Sequence, residues 1–307
     1  MRAAWENRYA LVIRLRSRPA QPRSHRGARR FGQAPRAIAV FVAAALISLA
    51  ALGCSGSRSM SGSSEGSLSR WRTTCTAGTL MKTGNSAYEV DNSDGPGGRT
   101  CLAVNPAATQ FRLGSSAYDA AKVGPADESL LDFTGYMSIF TGCQLGVCLE
   151  PRYPIEALDI RRELTSWSFT FSANGRFDAI YDMFFNTTRA QRNIPNGGEV
   201  EIMLNHQDVS LAGPELPDVT IEGARWHVYS ARKTIQYGSW NRIAFERVTP
   251  VDKVTDLDLA PFVRAAIGDR ALSPEWYQQD LRAGFEVYSG GVGLATNSFA
   301  AGDPNAG

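Results

Sequence analysis

Histidine is scarce in this chain of 307 residues. There are three in all, and only His206 and His227 lie beyond residue 54. Cysteine is scarce too, and the Cys143-x4-Cys148 pair has no histidine nearby, so the sequence offers no spacing that would hold a structural zinc. No metal is expected. A basic patch is also missing from the body of the chain. Residues 1–53 carry ten arginines and one acid, Glu6, for a net charge of +9. The remainder has 22 basic and 29 acidic side chains, or −7, so the formal total of +2 hides an acidic body behind a basic leader. Nucleic-acid binding needs clustered cations to neutralise phosphates, so no nucleic-acid partner is expected.

What is present begins with that leader. A basic, proline-bearing stretch ends at Arg36, and residues 37–53 form an apolar and small-residue run that stops at Gly53-Cys54. This is the layout of an export signal. Leu52-Gly53-Cys54 has the form of a bacterial lipoprotein box, although Ala51 stands where a larger aliphatic residue is usual. Residues 1–54 are therefore expected to act as an export signal or a lipoprotein anchor, with a membrane tether through the leader or Cys54 as one outcome. The protein is expected to be secreted or anchored at a bacterial cell surface. Residues 55–70 are rich in Ser and Gly and read as a linker, leaving 71–307 as the functional domain. The four cysteines of that domain, Cys75, Cys101, Cys143 and Cys148, are an even number in an exported protein and predict two disulfides. Three pairings are possible; the sequential one, Cys75–Cys101 and Cys143–Cys148, is the simplest. A monomer is expected.

Within the domain the patterning is that of strands. Residues 88–91 alternate before a turn cluster at 92–98, and 100–104 form another short strand. Trp167 to Phe171 alternate strictly, with one aromatic face. Residues 178–185, 199–205, 240–248, 283–288 and 293–299 read as strands, and 218–221 with 226–229 flank a turn at Glu222-Gly223. Residues 133–154 mix aromatics, glycines and the cysteine pair, and read as a pinned surface loop. One helix is predicted after Asp258, with Pro261 early and Phe262, Ala265, Ala266 and Ile267 as its apolar stripe before Gly268. Many short strands and one helix predict an all-β fold, a two-sheet β-jelly roll of the concanavalin-like sandwich kind.

Two strands carry isolated carboxylates. In Glu199-Val200-Glu201-Ile202-Met203 both glutamates point to one face, and in Gly284-Phe285-Glu286-Val287-Tyr288 a single glutamate stands among apolar residues. A carboxylate in such a setting is costly to bury unless it is paired or used. Each could equally be solvated on an open sheet face. Two carboxylates on strands of one sheet are, however, what glycoside hydrolysis requires.

The segment from Cys75 onward resembles glycoside hydrolase family 12, secreted β-1,4-glucanases of actinobacterial type. The blocks that carry the resemblance are residues 179–185 (AIYDMFF), 200–203 (VEIM), 223–229 (GARWHVY) and 283–287 (AGFEV), together with the run GGVGLATNSF at 290–299. Phe140-Thr141-Gly142-Cys143 and Cys148 fit the family's loop. The resemblance implies a retaining endo-β-1,4-glucanase acting on cellulose or a related β-glucan, with Glu201 as nucleophile and Glu286 as general acid/base. It implies that Asp182 positions Glu201 or shares a proton with it, with Glu199 as the rival nucleophile should the register shift. Met203 would floor the sugar site, Tyr88, Asn92 and Asn205 would contact substrate, and no metal or organic cofactor is implied. His206 reads as a polar strand-end residue, and Trp167 and Trp226 as core. Two tryptophans of the family pattern are missing, one after Met203 and one in the turn after Asn92. Aromatic platforms for sugar rings are worth about 1 kcal/mol each, so weaker activity is expected, with a decayed β-glucan-binding protein as the alternative.

Overall fold

Along residues 175–186, Phe177, Ala179, Tyr181, Met183 and Phe185 recur at every second position and are all fully buried. The pleat of a strand sends that whole set to one face and leaves Asp178, Ile180 and Asp182 on the other. The computed structural model describes residues 71–123, 133–144, 146–171, 174–191, 194–211, 213–235 and 238–302. The expected export leader, Cys54 and the linker lie outside the described residues.

Two sheets form the fold. The smaller has six strands in the order Arg72–Thr74, Gly98–Asn105, Gln110–Tyr118, Ala295–Ala301, Leu164–Thr170, Lys253–Asp258. The larger has a nine-strand path: Glu215–Ile221, Ala224–Ile235, Gly238–Arg247, Gly198–Gln207, Gly175–Asn186, Asp280–Gly290, Gly135–Gln144, Tyr88–Asp94, Thr79–Thr83. Three two-residue strands attach beside it. The expected two-sheet jelly-roll sandwich with one helix is what is observed among the described residues.

The core lies between the sheets. Trp167 and Phe169 from the smaller sheet meet Tyr181 and Phe285 from the larger, with Trp167 ring centroids 5.4 Å from Tyr181 and 5.6 Å from Phe285. Full burial of a side chain such as Phe285 contributes roughly 1.5–3 kcal/mol. Trp167 keeps its indole N–H satisfied by donating to Thr296 Oγ1 at 3.1 Å. The helix Ala260–Gly268 buries Phe262, Val263 and Ala266, and Phe262 meets Trp226 and Phe245 edge-on. Asp258 helps start the helix from two residues upstream, its Oδ1 accepting from Ala260 N at 3.1 Å. Trp167 and Trp226 are core residues, as expected.

Three expectations need correction. The stretch 133–154 is not chiefly a loop: Gly135–Gln144 is an interior strand with nine of its ten residues buried. Covered on both faces, it has no polar–apolar alternation by which to announce itself. The turn expected at 92–98 is shorter, because Asn92, Ser93 and Asp94 continue the strand that begins at Tyr88. The strands Thr79–Thr83, Gln110–Tyr118 and Lys253–Asp258 were not foreseen. Both disulfides follow the sequential pairing, Cys75–Cys101 and Cys143–Cys148.

Candidate active site

The strand Gly175–Asn186 runs between the Glu201 strand, Gly198–Gln207, and the Glu286 strand, Asp280–Gly290. Register decides which side chains meet. Asp182 stands opposite Glu201 and Arg282, and Ile180 stands opposite Met203 and Gly284. Val200, Ile202 and Leu204 enter the inter-sheet core. Glu199, Glu201 and Met203 therefore occupy the far face, with Asp178, Ile180, Asp182 and Glu286. Met203, Ile180 and Tyr136 form a small apolar cluster there, with Tyr288 packed against it.

Glu201 is fully buried. Both of its oxygens are engaged by Arg242, whose Nε donates to Oε2 at 2.7 Å and whose Nη2 donates to Oε1 at 2.6 Å. Burial opposes the Arg242 charge, but Glu201 and Glu199 outweigh that and hold the guanidinium above its ordinary pKa. Glu199 is occupied separately: Trp240 Nε1 donates to it at 2.6 Å and Lys233 Nζ lies 3.6 Å away. The nucleophile candidate and its rival are thus distinguished by their partners.

Glu286 is half-buried, and Tyr288 donates its hydroxyl to Glu286 Oε2 at 2.9 Å. Burial pushes the Glu286 carboxyl up, Lys233 pulls it back, and the charge of Glu201 pushes it up again. A buried carboxyl beside a negative neighbour keeps its proton to higher pH, which suits a general acid. Asp178, which no sequence pattern set apart, also belongs here. It is buried, and its Oδ1 accepts the Glu286 backbone N–H at 3.3 Å. Burial, then the charges of Glu286 and Glu201, hold Asp178 well above the usual carboxylate range.

Asp182 is brought to the site, directly opposite Glu201. Among the described residues it makes no hydrogen bond to Glu201, and its Oδ1 is buried without a partner. Burial and then Glu199 raise its pKa strongly, so it is poised to hold a proton. The grip on Glu201 comes from Arg242.

Tyr88 and Asn92 are not brought to the site. They share the opposite face of their strand: Asn92 is fully buried, accepts from Thr100 Oγ1 at 2.6 Å, and donates to backbone oxygens of Thr76 and Thr100. Tyr88 meets Phe299 edge-on, and its hydroxyl bonds the Ala301 backbone. The far-face residues of that strand are Glu89, Asp91 and Ser93, one position out of phase. Asn205 also leaves the row of Glu201 and Met203, because a bulge between Ala179 and Ile180 places it opposite Ala179. His206 pairs with Glu246 at 3.0 Å at the strand end, as expected.

Beyond these groups, Arg282 bridges Asp280 at 2.9 Å and Asp91 at 3.6 Å, with the rings of Phe140 and Phe184 beside its guanidinium. Among the described residues, Glu215, Asp218 and His227 bring potential ligand atoms within 4.8 Å of one another. The Asp218 oxygens are already used, by His227 at 2.8 Å and Arg225 at 2.6 Å.

No family model matches the chain. A relative from Mycobacterium tuberculosis named "Probable cellulase Cel12b" is 30% identical over 149 residues, 48% of this chain and 95% of that protein. Among solved structures, a metagenome-derived glycoside hydrolase family 12 endoglucanase is similar at TM-score 0.67 and 28% identity, covering 76% of this chain and 97% of that one. Endoglucanase cel12A from Rhodothermus marinus is similar at TM-score 0.66 and 28% identity, covering 75% and 97%.

Proposed function

The chain belongs to glycoside hydrolase family 12, and we propose that it is an endo-β-1,4-glucanase that cuts with retention, using Glu201 as nucleophile and Glu286 as general acid and base. The observation that carries this reading is the placement of the two glutamates on one face of the larger sheet, on the two strands flanking Gly175–Asn186. Glu201 attacks the anomeric carbon while Glu286 gives its proton to the leaving glycosidic oxygen. In the second step Glu286 takes a proton from water, the water oxygen bonds to the anomeric carbon, and the electron pair of the glycosyl ester returns to Glu201. The raised pKa of Glu286 supports its role in the first step, and Tyr288 holds its carboxyl in place through the hydroxyl contact. The missing tryptophans support weak glucan binding, to be read as a high KM. The basic, apolar leader supports export and action outside the cytoplasm.

The test is release of reducing sugar from soluble β-glucan and carboxymethyl cellulose by the full chain, beside Glu201→Gln and Glu286→Gln. Release that both substitutions abolish supports the reading. Binding of β-glucan with no release by the wild-type chain would overturn it in favour of a glucan-binding protein.

A further inference from the structure

Arg242 reaches Glu201 diagonally across two paired strands. The strands Gly198–Gln207 and Gly238–Arg247 are parallel, and the Cα partner of Arg242 is Glu199, whereas that of Glu201 is Ala244. Side chains on a strand lean along it. Ala244 projects only a methyl group beside Glu201, so the guanidinium can lie along the strand and reach the carboxylate diagonally. Glu199, the direct partner, is meanwhile held by Trp240 and Lys233. The outcome is a two-point grip on Glu201 at 2.7 and 2.6 Å, made by a guanidinium that is itself buried. Two parallel N–H···O bonds fix the carboxylate plane as well as its position.

We propose that Arg242 is a positioning residue for the nucleophile, holding the Glu201 carboxylate for attack and stabilising the charge that returns to it when the glycosyl-enzyme is hydrolysed. The inference rests on the retaining reading above. The charge on Glu201 is full in the free enzyme and absent in the glycosyl ester, and it reappears as the ester bond breaks with its electron pair returning to the carboxylate. A fixed cation next to that oxygen therefore favours the second step and restrains the first. Donors aimed at the place where charge develops act on the transition state. Removing Arg242 should make breakdown of the intermediate the slow step. Accumulation of a covalent intermediate lowers kcat and KM together, a pattern that loss of folded enzyme does not produce.

The experiment uses the full chain and an aryl β-cellobioside with a good leaving group, comparing wild type, Arg242→Met and Arg242→Lys by rapid mixing. The active fraction of each is titrated with a 2-deoxy-2-fluoro cellobioside carrying an activated leaving group, and the labelled residue is read by mass spectrometry. Arg242→Met is expected to show a burst of released phenol equal to its active fraction, with kcat lowered about 10²-fold and KM lowered with it. Arg242→Lys, which keeps the charge but not the fork, is expected to show the same pattern more weakly. A labelled Arg242→Met with no burst and an unchanged or raised KM overturns the proposal. If that variant does not fold, an Arg242→Lys that matches wild type in kcat and KM overturns it instead. Wild-type labelling at a residue other than Glu201 would overturn the assignment of the nucleophile, and turnover with no labelling at all would overturn the retaining reading; both are seen separately from the behaviour of the variants.

Discussion

The backbone N–H of Glu286 donates to the carboxyl oxygen of Asp178 at 3.3 Å, joining the proposed acid to a buried carboxyl on the adjoining strand. Burial and neighbouring negative charge hold Asp178 well above the usual carboxylate range, so its neutral form is favoured. Asparagine has the shape of that neutral form and can still accept the N–H. Asp178→Asn is expected to keep most of the activity near neutral pH, whereas Asp178→Ala leaves a buried N–H unsatisfied and costs about 1–3 kcal/mol of stability. Thermal unfolding and specific activity of the two variants check this. Equal loss in both would contradict it.

Lys233 offers a test of the acid. Its ammonium lowers the Glu286 pKa, against the larger upward push of burial. Glu286 works as an acid while protonated, so activity falls as pH rises through its pKa. Removing the cation raises that pKa, and the alkaline limb of the pH–rate profile should therefore move to higher pH in Lys233→Met. A limb that moves down, or stays in place, assigns the limb to another group.

Stability should depend on pH in an uncommon direction. Burial, opposed by Arg282, raises the Asp91 carboxyl from 3.8 to about 6. Burial likewise raises Asp178, Asp182 and Asp280. The folded state then binds protons that the unfolded chain has already released. The stability contributed by Asp91 is fully present below its unfolded pKa and is lost as pH rises through about 6. A shift of that size corresponds to roughly 3 kcal/mol at most. The melting temperature should be higher near about pH 5 than near about pH 8, and Asp91→Asn should reduce the difference. A melting temperature that climbs with pH over this range would contradict the account.

Gly284 lies one pleat from Glu286, where a Cβ would meet the Met137 carbonyl oxygen at 2.2 Å and Ser138 Cα at 2.7 Å. The obstruction is backbone of the adjoining strand, so relief requires the strands to part. Gly284→Ala is expected to destabilise by about 1–3 kcal/mol or more and to reduce activity with it. Denaturant unfolding of the variant gives the value.

The parts of the site that were legible in the sequence were those set by local pattern. Glu201 and Glu286 stood out because a carboxylate among β-branched and aromatic residues is rare, and the family blocks supported both. Tyr88 and Asn92 were misplaced by one residue of strand phase: their strand has polar side chains on both faces, with Asn92 taken up by Thr100, so polarity gave no sign of which face was open. Gly135–Gln144 was hidden by burial on both sides. Arg242 could not be read at all. It lies 41 residues from Glu201 and meets it only because two strands pair in parallel around an intervening hairpin. Nothing in either segment announces that pairing.

The most direct test of the central claim is the anomeric configuration of the first product, followed by proton NMR as the full chain hydrolyses a short β-1,4-glucan oligomer. Two-step displacement through Glu201 predicts that the β-anomer appears first and then mutarotates to the mixture. An α-anomer appearing first would mean single displacement by water, and Glu201 would not be the nucleophile.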